Sequence, residues 1–392
     1  MRIRVLPAAV VVAAALLLAG CGGAGPGSGS ADEERPGPGP VGASPTGPPS
    51  AAVPPAAVPS AAVPSAAVPP AAVPSAAVPP AAAPPAGAER RADGAQLLYR
   101  AGGGRSAQNP AFSPDGRSVL LTEFSGGYNK GAAALGVLPL DGGAPRTVVA
   151  DPDRAAVNLP GASWNAAADA FAFATDRESG HDEIWLMRPG GAPERVTGHA
   201  DASGYSEPSF SPDGEWIVFQ QSREPEHAAV PGDAAEQQDS LWKVRRGGGA
   251  PVLLVDGRGT GTDNRQPNWS PTGDRIVFQR RSAGREDWSL WTVDPDGGGL
   301  RQVTGSPGEH TDPSWSPDGR FLVFSSTLGD LPNAQVFVLE AAGGTPVRVT
   351  LDDGAYDGAP SWSPDGRWIA FESAPGGEAG PAALWRIPAP VR

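Results

Sequence analysis

From residue 95 to the C-terminus, apolar and polar positions recur in one fixed order, six times over. Each unit carries an aromatic anchor, a short polar break, and then apolar residues seven and nine positions beyond the anchor. These pairs are Val119/Leu121, Phe171/Phe173, Ile217/Phe219, Ile276/Phe278, Leu322/Phe324 and Ile369/Phe371. Period-two alternation of branched and aromatic residues predicts a strand. A second apolar run follows in every unit, from Leu135–Leu138 and Ile184–Met187 to Leu384–Ile387. Five units then show a turn and a short strand such as Arg195-Val196-Thr197 or Arg348-Val349-Thr350. With the stretch leading into the anchor, the pattern predicts four strands per unit.

The anchors are Phe112, Trp164, Phe210, Trp269, Trp315 and Trp362, spaced 52, 46, 59, 46 and 47 residues apart. Repeats of this length mark propellers and solenoids. Around four of the anchors the chain reads Pro-x-aromatic-Ser-Pro-Asp-Gly, and Gln266–Gly273 differs only by Thr272 in place of Asp. Ser-Pro-Asp-Gly suits a type I turn, with Pro at the second position and Gly where φ turns positive. The second unit has Asn165-Ala-Ala-Ala168 instead, yet keeps the anchor-to-strand spacing. The sixth unit lacks a fourth strand, and Gln96–Tyr99 lies ahead of the first motif, placed to supply it. Closure of this kind leaves no free sheet edge. The expected fold is all-β, a monomeric six-bladed β-propeller of four-stranded blades.

These motifs resemble the propeller repeat of the TolB family, Pro-x-Trp-Ser-Pro-Asp-Gly followed by Ile-Ala-Phe, over residues 95–392. The resemblance implies fold strongly and function weakly, because the same repeat occurs in TolB, in prolyl-oligopeptidase-like peptidases and in other envelope proteins. TolB itself has an additional N-terminal α/β domain. Here a different N-terminal region stands in that place, so a role in the Tol system is not carried over.

That region changes the picture of where the chain works. Met1–Arg4 is basic, Val5–Leu18 is apolar, and Leu18-Ala19-Gly20-Cys21 resembles a bacterial lipobox. The run is short for a membrane span and ends in small residues suited to signal peptidase. The expected domains are a signal peptide at 1–20, a lipidated N-terminus and linker at 21–94, and the propeller at 95–392. Acylation of Cys21 would make membrane lipid the first partner, since stable anchoring takes more than one acyl chain. Cys21 is the single cysteine, so no intramolecular disulfide supports the fold. Residues 51–85 form seven Ala/Val/Pro pentads. As polyproline-like chain at about 3.1 Å per residue they reach roughly 110 Å. Both a spacer and a repeat-expanded linker of no required length fit this tract. The formal charge is −13, and residues 1–94 are balanced, so the excess sits on the propeller. With only Lys130 and Lys243 as lysines, the domain argues against nucleic acid as a partner.

Candidate chemistry lies in two places. The segments before each motif should approach one mouth of the central channel, and they carry Glu207, Asp263, His310, Asp312 and Asp357. Carboxylates and an imidazole suit a hard cation, a ligand or acid/base work, and equally a solvated acidic rim. No recurrent metal-ligand spacing accompanies them, and no cofactor is implied. The 59-residue unit contains an insertion of about 223–238 with Arg223, Glu224, Glu226 and His227, a candidate partner loop. Glu123–Ala132, with Phe124, Tyr128 and Lys130, is a second. No Gly-x-Ser-x-Gly elbow occurs, which removes the peptidase reading. The blade-spaced Trp185, Trp242, Trp291 and Trp385 are expected to pack between sheets. The sequence thus favours a non-catalytic scaffold binding an envelope protein, a peptide or cell-wall polymer. A channel-mouth enzyme, metal-dependent or glycan-acting, and a ligand-sensing lipoprotein with a membrane partner are the rival classes.

Overall fold

The computed structural model describes residues 89–150, 156–157, 164–200, 203–223, 238–282, 285, 287–305, 307–378 and 380–390. Cys21, the Ala/Pro tract and residues 224–237, with Glu224, Glu226 and His227, lie outside the described residues. The strands form six antiparallel sheets, each a blade. The innermost strands of blades 1 and 3 to 6 are Ser106–Phe112, Ser203–Phe210, Thr262–Trp269, His310–Trp315 and Ala355–Trp362. In blade 2 two short pieces, Ala156–Val157 and Trp164–Asn165, both pair with Ala170–Thr175. From blade 3 round to blade 1 each innermost strand lies beside that of the next blade, so they face a common axis, and in blades 1 and 3 to 5 the other strands follow outward in chain order. One four-residue helical turn, Gly257–Thr260, interrupts this plan among the described residues.

Blade 6 closes the ring as expected. Its outer strand is Gln96–Tyr99, paired antiparallel with Ala383–Pro388 through Gln96 opposite Arg386 and Leu97 opposite Trp385. Just upstream, Arg91 donates to both carboxylate oxygens of Asp357 at 2.9 and 2.8 Å and to Asp93 at 2.7 Å. Its guanidinium lies over the rings of Phe371 and Trp385.

The turn after each anchor repeats the same bonds. In blade 1 the Ser113 hydroxyl donates to Asp115 at 2.7 Å, and Gly116 N donates to Ser113 O at 2.9 Å with φ of +67° at Gly116. Blades 5 and 6 repeat the hydroxyl–carboxylate bond at 2.6 Å. Blade 2, without this tetrapeptide, uses Asn165. Its Oδ1 accepts from Ala168 N at 2.8 Å, and its Nδ2 reaches Ser211 O of blade 3 at 2.7 Å.

The core is a set of seams between blades. Both faces of each second strand are buried, because each blade packs between two others. Ile217 and Phe219 face blade 2, against Ala172, Ala174, Ile184 and Leu186. Val218, between them in sequence, faces blade 4 with Trp269, Ile276 and Phe278. The same alternation carries Val323 against Trp362, Ile369 and Phe371, and Ala370 against Phe112, Val119 and Leu121. Phe173, Phe219, Phe278 and Phe371 stand opposite Trp185, Trp242, Trp291 and Trp385 on the third strands, so these tryptophans pack into the seams. Each fully buried phenylalanine contributes roughly 1.5–3 kcal/mol, which makes the seams the main source of stability.

Candidate functional site

Five innermost strands share a backbone feature that the pleat alone does not require. Asn109, Glu207, Gln266, Asp312 and Ala359 have φ of 52°, 55°, 52°, 52° and 46°, and each directly precedes the first Pro of its motif. Strand register slips at the same points, so each is a bulge. Left-handed backbone costs a non-glycine residue roughly 1–2 kcal/mol. The return is a chain of hydrogen bonds across the axis-facing side of the blades. Glu207 Oε2 accepts from Gln266 N at 2.8 Å. Gln266 Oε1 accepts from Asp312 N at 2.9 Å, and its Nε2 donates to Asp312 Oδ1 at 2.5 Å. Asp312 accepts in turn from the backbone N–H of Ala359. Ala359 has no polar side chain to continue the series. Glu372, on the second strand of blade 6, takes over and accepts from Asn109 N at 2.8 Å. Backbone donors that the bulges withdraw from their own sheets are thereby satisfied by the preceding blade.

The same region gathers acidic groups. Glu372 Oε1 accepts from Tyr128 Oη at 2.6 Å, and the Tyr128 and Tyr356 rings meet edge to face at 5.7 Å. Burial pushes the Glu207 carboxyl up to about 8, despite the Gln266 N–H and the Arg265 charge. Burial raises Glu372 to about 7 against the opposing bond from Tyr128. Glu378 is raised to about 7 by burial and by the Asp312 and Glu309 charges. Burial also raises Asp312, and both phenols lie well above their ordinary value. Near neutral pH the lining is thus partly protonated, able to donate as well as accept hydrogen bonds.

Of the five channel-mouth residues expected from sequence, Glu207 and Asp312 lie in this chain of bonds. The other three stand behind it. Asp263 is buried and pairs with Arg265 at 2.8 Å and Arg281 at 3.2 Å, both guanidiniums lying over Trp288. His310 is fully buried, with Nδ1 at 2.9 Å from Ser326 Oγ and its ring edge-on to Phe324. Asp357 is buried and holds Arg91. Gln266, Glu372 and Tyr356 were not singled out by sequence. Gln266 occupies the same pre-proline position as Glu207 and Asp312, a signal that was present. Tyr128, expected on a partner loop, instead turns its hydroxyl onto Glu372.

Six closed sheets around a polar lining define the class, a six-bladed β-propeller. Residues 258–380 match the family model described as the TolB beta propeller domain, so this part of the propeller is TolB-like. It is 29% identical over 200 residues to the uncharacterized protein Atu1656 of Agrobacterium fabrum, a match covering 49% of this chain and 59% of that relative's length. An oligogalacturonate lyase solved with manganese shares the fold, with a TM-score of 0.52 at 15% identity, covering 77% of this chain and 96% of that one. TolB from Acinetobacter baumannii gives a TM-score of 0.49 at 17% identity, covering 73% and 64%.

Proposed function

We propose that this chain is an extracytoplasmic lipoprotein, anchored through acylated Cys21, whose propeller is a non-catalytic scaffold binding an envelope protein through its loop faces. The observation that carries this reading is the engagement of the axis-facing carboxylates. Glu207, Asp312 and Glu372 each accept a backbone N–H from the next blade, so they serve the ring that holds the loops in place. A ring of this kind with a long insertion in one repeat of the sequence suits recognition of a folded or extended partner. The lipobox and the Ala/Pro tract support a tether that holds the propeller clear of the membrane. Shortening 224–237 while leaving the fold intact tests the reading. Loss of an in-cell crosslinked partner is expected, and retention of every crosslink would overturn it.

A second reading rests on the carboxyl of Glu207 at about 8 and that of Glu372 at about 7 beside Tyr128. Acids poised near neutrality suit proton transfer to an envelope substrate. Turnover that disappears in Glu207→Gln with an unchanged thermal midpoint would favour it.

A further inference from the structure

Blade 2 differs from blade 5 at three positions that converge in space. In both blades the first residue of the third-strand apolar run donates its N–H to a threonine after the outer strand, Ile184 to Thr197 at 2.9 Å and Val336 to Thr350 at 3.0 Å. These bonds put the two blades in register. In blade 5 the residue before Val336 is Gln335, whose amide donates to Asp352 O at 2.9 Å and Ala355 O at 2.8 Å. Asn333 and Asp352 occupy the neighbouring positions, and Asn333 Nδ2 bonds Asp353 O. In blade 2 the corresponding residues are Glu183, His181 and His199. A neutral amide that ties off its loop is replaced by a buried carboxylate between two imidazoles.

We infer that His181, Glu183 and His199 form a binding site for a divalent transition metal of the zinc type. The ligand atoms already stand at coordination spacing. His199 Nδ1 is 3.0 Å and His181 Nε2 3.6 Å from Glu183 Oε1, and all three lie within 4.8 Å of one another. Bonds of about 2.0–2.1 Å to a tetrahedral ion separate its ligands by about 3.3 Å. His199 contacts the Ser203 carbonyl through Nε2, a contact that places the proton on that nitrogen and leaves the Nδ1 lone pair facing Oε1. Two electron pairs facing each other at this distance are reconciled by a cation or proton between them. His181 Nε2 is a buried atom that makes no hydrogen bond. Glu183 is 1% exposed, and among the described residues its ion-pair partners are these two imidazoles, with no Lys or Arg.

The surroundings hold the ligands as metal sites require. Thr197 Oγ1 donates to Glu183 Oε2 at 2.6 Å, and His199 N donates to Oε1 at 3.1 Å. The His199 ring stacks on Tyr205 of blade 3 at 4.1 Å, and Tyr205 packs on Phe219. Two imidazoles and one carboxylate suit zinc or cobalt over magnesium or calcium, which prefer oxygen alone. The His181 side chain is about a quarter exposed, so a fourth ligand would come from solvent or from a partner on that side.

The test is cobalt and zinc titration of the full-length chain purified in detergent after chelator treatment. One equivalent of cobalt with the visible absorption of a four-coordinate ion, displaced by zinc, is expected. Zinc should raise the thermal midpoint and magnesium should not. His181→Ala and Glu183→Gln should each weaken uptake at least tenfold. Glu183→Gln puts the blade 5 amide at the central position and removes a buried carboxylate, so its metal-free midpoint should match or exceed that of the parent. His227→Ala should leave uptake unchanged. No saturable uptake, uptake indifferent to Glu183→Gln, or uptake removed by His227→Ala would each overturn the assignment.

Discussion

Replacing Arg91 by Met tests how firmly the N-terminal segment closes the ring. Arg91 makes two charge-assisted bonds to Asp357, one to Asp93 and one to Ser373 at 3.2 Å. The Asp357 side chain is 0% exposed. Taking away one partner of a buried pair leaves the other charge stranded, at a cost of about 3–5 kcal/mol. Burial already raises the Asp357 carboxyl against the opposing pull of Arg91. Without Arg91 it rises further, and a raised carboxyl stabilises the folded state at low pH and loses that contribution as pH increases. The deficit of Arg91→Met should therefore be larger at pH 8 than at pH 5. Adding Asp357→Asn should recover much of it, since a neutral amide at that site strands no charge. Urea denaturation followed by tryptophan fluorescence, with the double-mutant cycle at both pH values, measures these quantities. A deficit below about 1 kcal/mol, or one that does not change with pH, would refute the closure role assigned to this pair.

The raised carboxyls give a pH dependence of their own. Burial is the leading cause for Asp182 at about 6, Glu372 and Glu378 at about 7 and Glu207 at about 8. Unfolded carboxyls titrate near 4, so the folded chain binds more protons through this range. The urea midpoint should fall as pH rises from about 6 to about 8, by the sign of that linkage; a rise would contradict a protonated lining, and Glu207→Gln should flatten the upper part of the curve. Gly214→Ala should cost more than Gly366→Ala in thermal midpoint. Both have positive φ, but an added Cβ at Gly214 meets Ala168 N at 2.9 Å, whereas at Gly366 the nearest atom is Pro317 Cγ at 3.7 Å. Asn165→Ala removes the buried donor that links blade 2 to Ser211 O of blade 3 and the acceptor that holds Ala168 N in blade 2's own turn, and should cost about 1–3 kcal/mol in chemical denaturation.

The seams were legible because burial on both faces of the second strands writes an apolar residue at every position from Ile217 to Phe219 or from Ile369 to Phe371. The N-terminal closing strand was legible because the sixth unit ends one strand short. The channel was legible only in part. A residue before proline is expected in extended backbone, so nothing at Glu207 or Asp312 announces a left-handed bulge that turns its side chain toward the next blade. Asp357 and Asp263 read as open acidic groups because their cations are supplied by the fold. Arg91 is 266 residues from Asp357, and Arg281 comes from the neighbouring strand. His181, Glu183 and His199 follow no ligand motif, since the first two flank a strand start and the third lies beyond the outer strand. Comparison of blade 2 with blade 5, position by position, is the signal that exposes them.

The central claim is that the propeller is a tethered scaffold whose loops, rather than its channel, engage the partner. Proximity crosslinking of the full-length chain in its native cells, with mass spectrometry of the captured proteins, tests it most directly. One dominant partner should be captured, retained in Glu207→Gln and Asp312→Asn and lost when 224–237 is shortened. Capture that follows the channel residues and ignores that loop, or no protein partner alongside turnover of an envelope substrate, would contradict it.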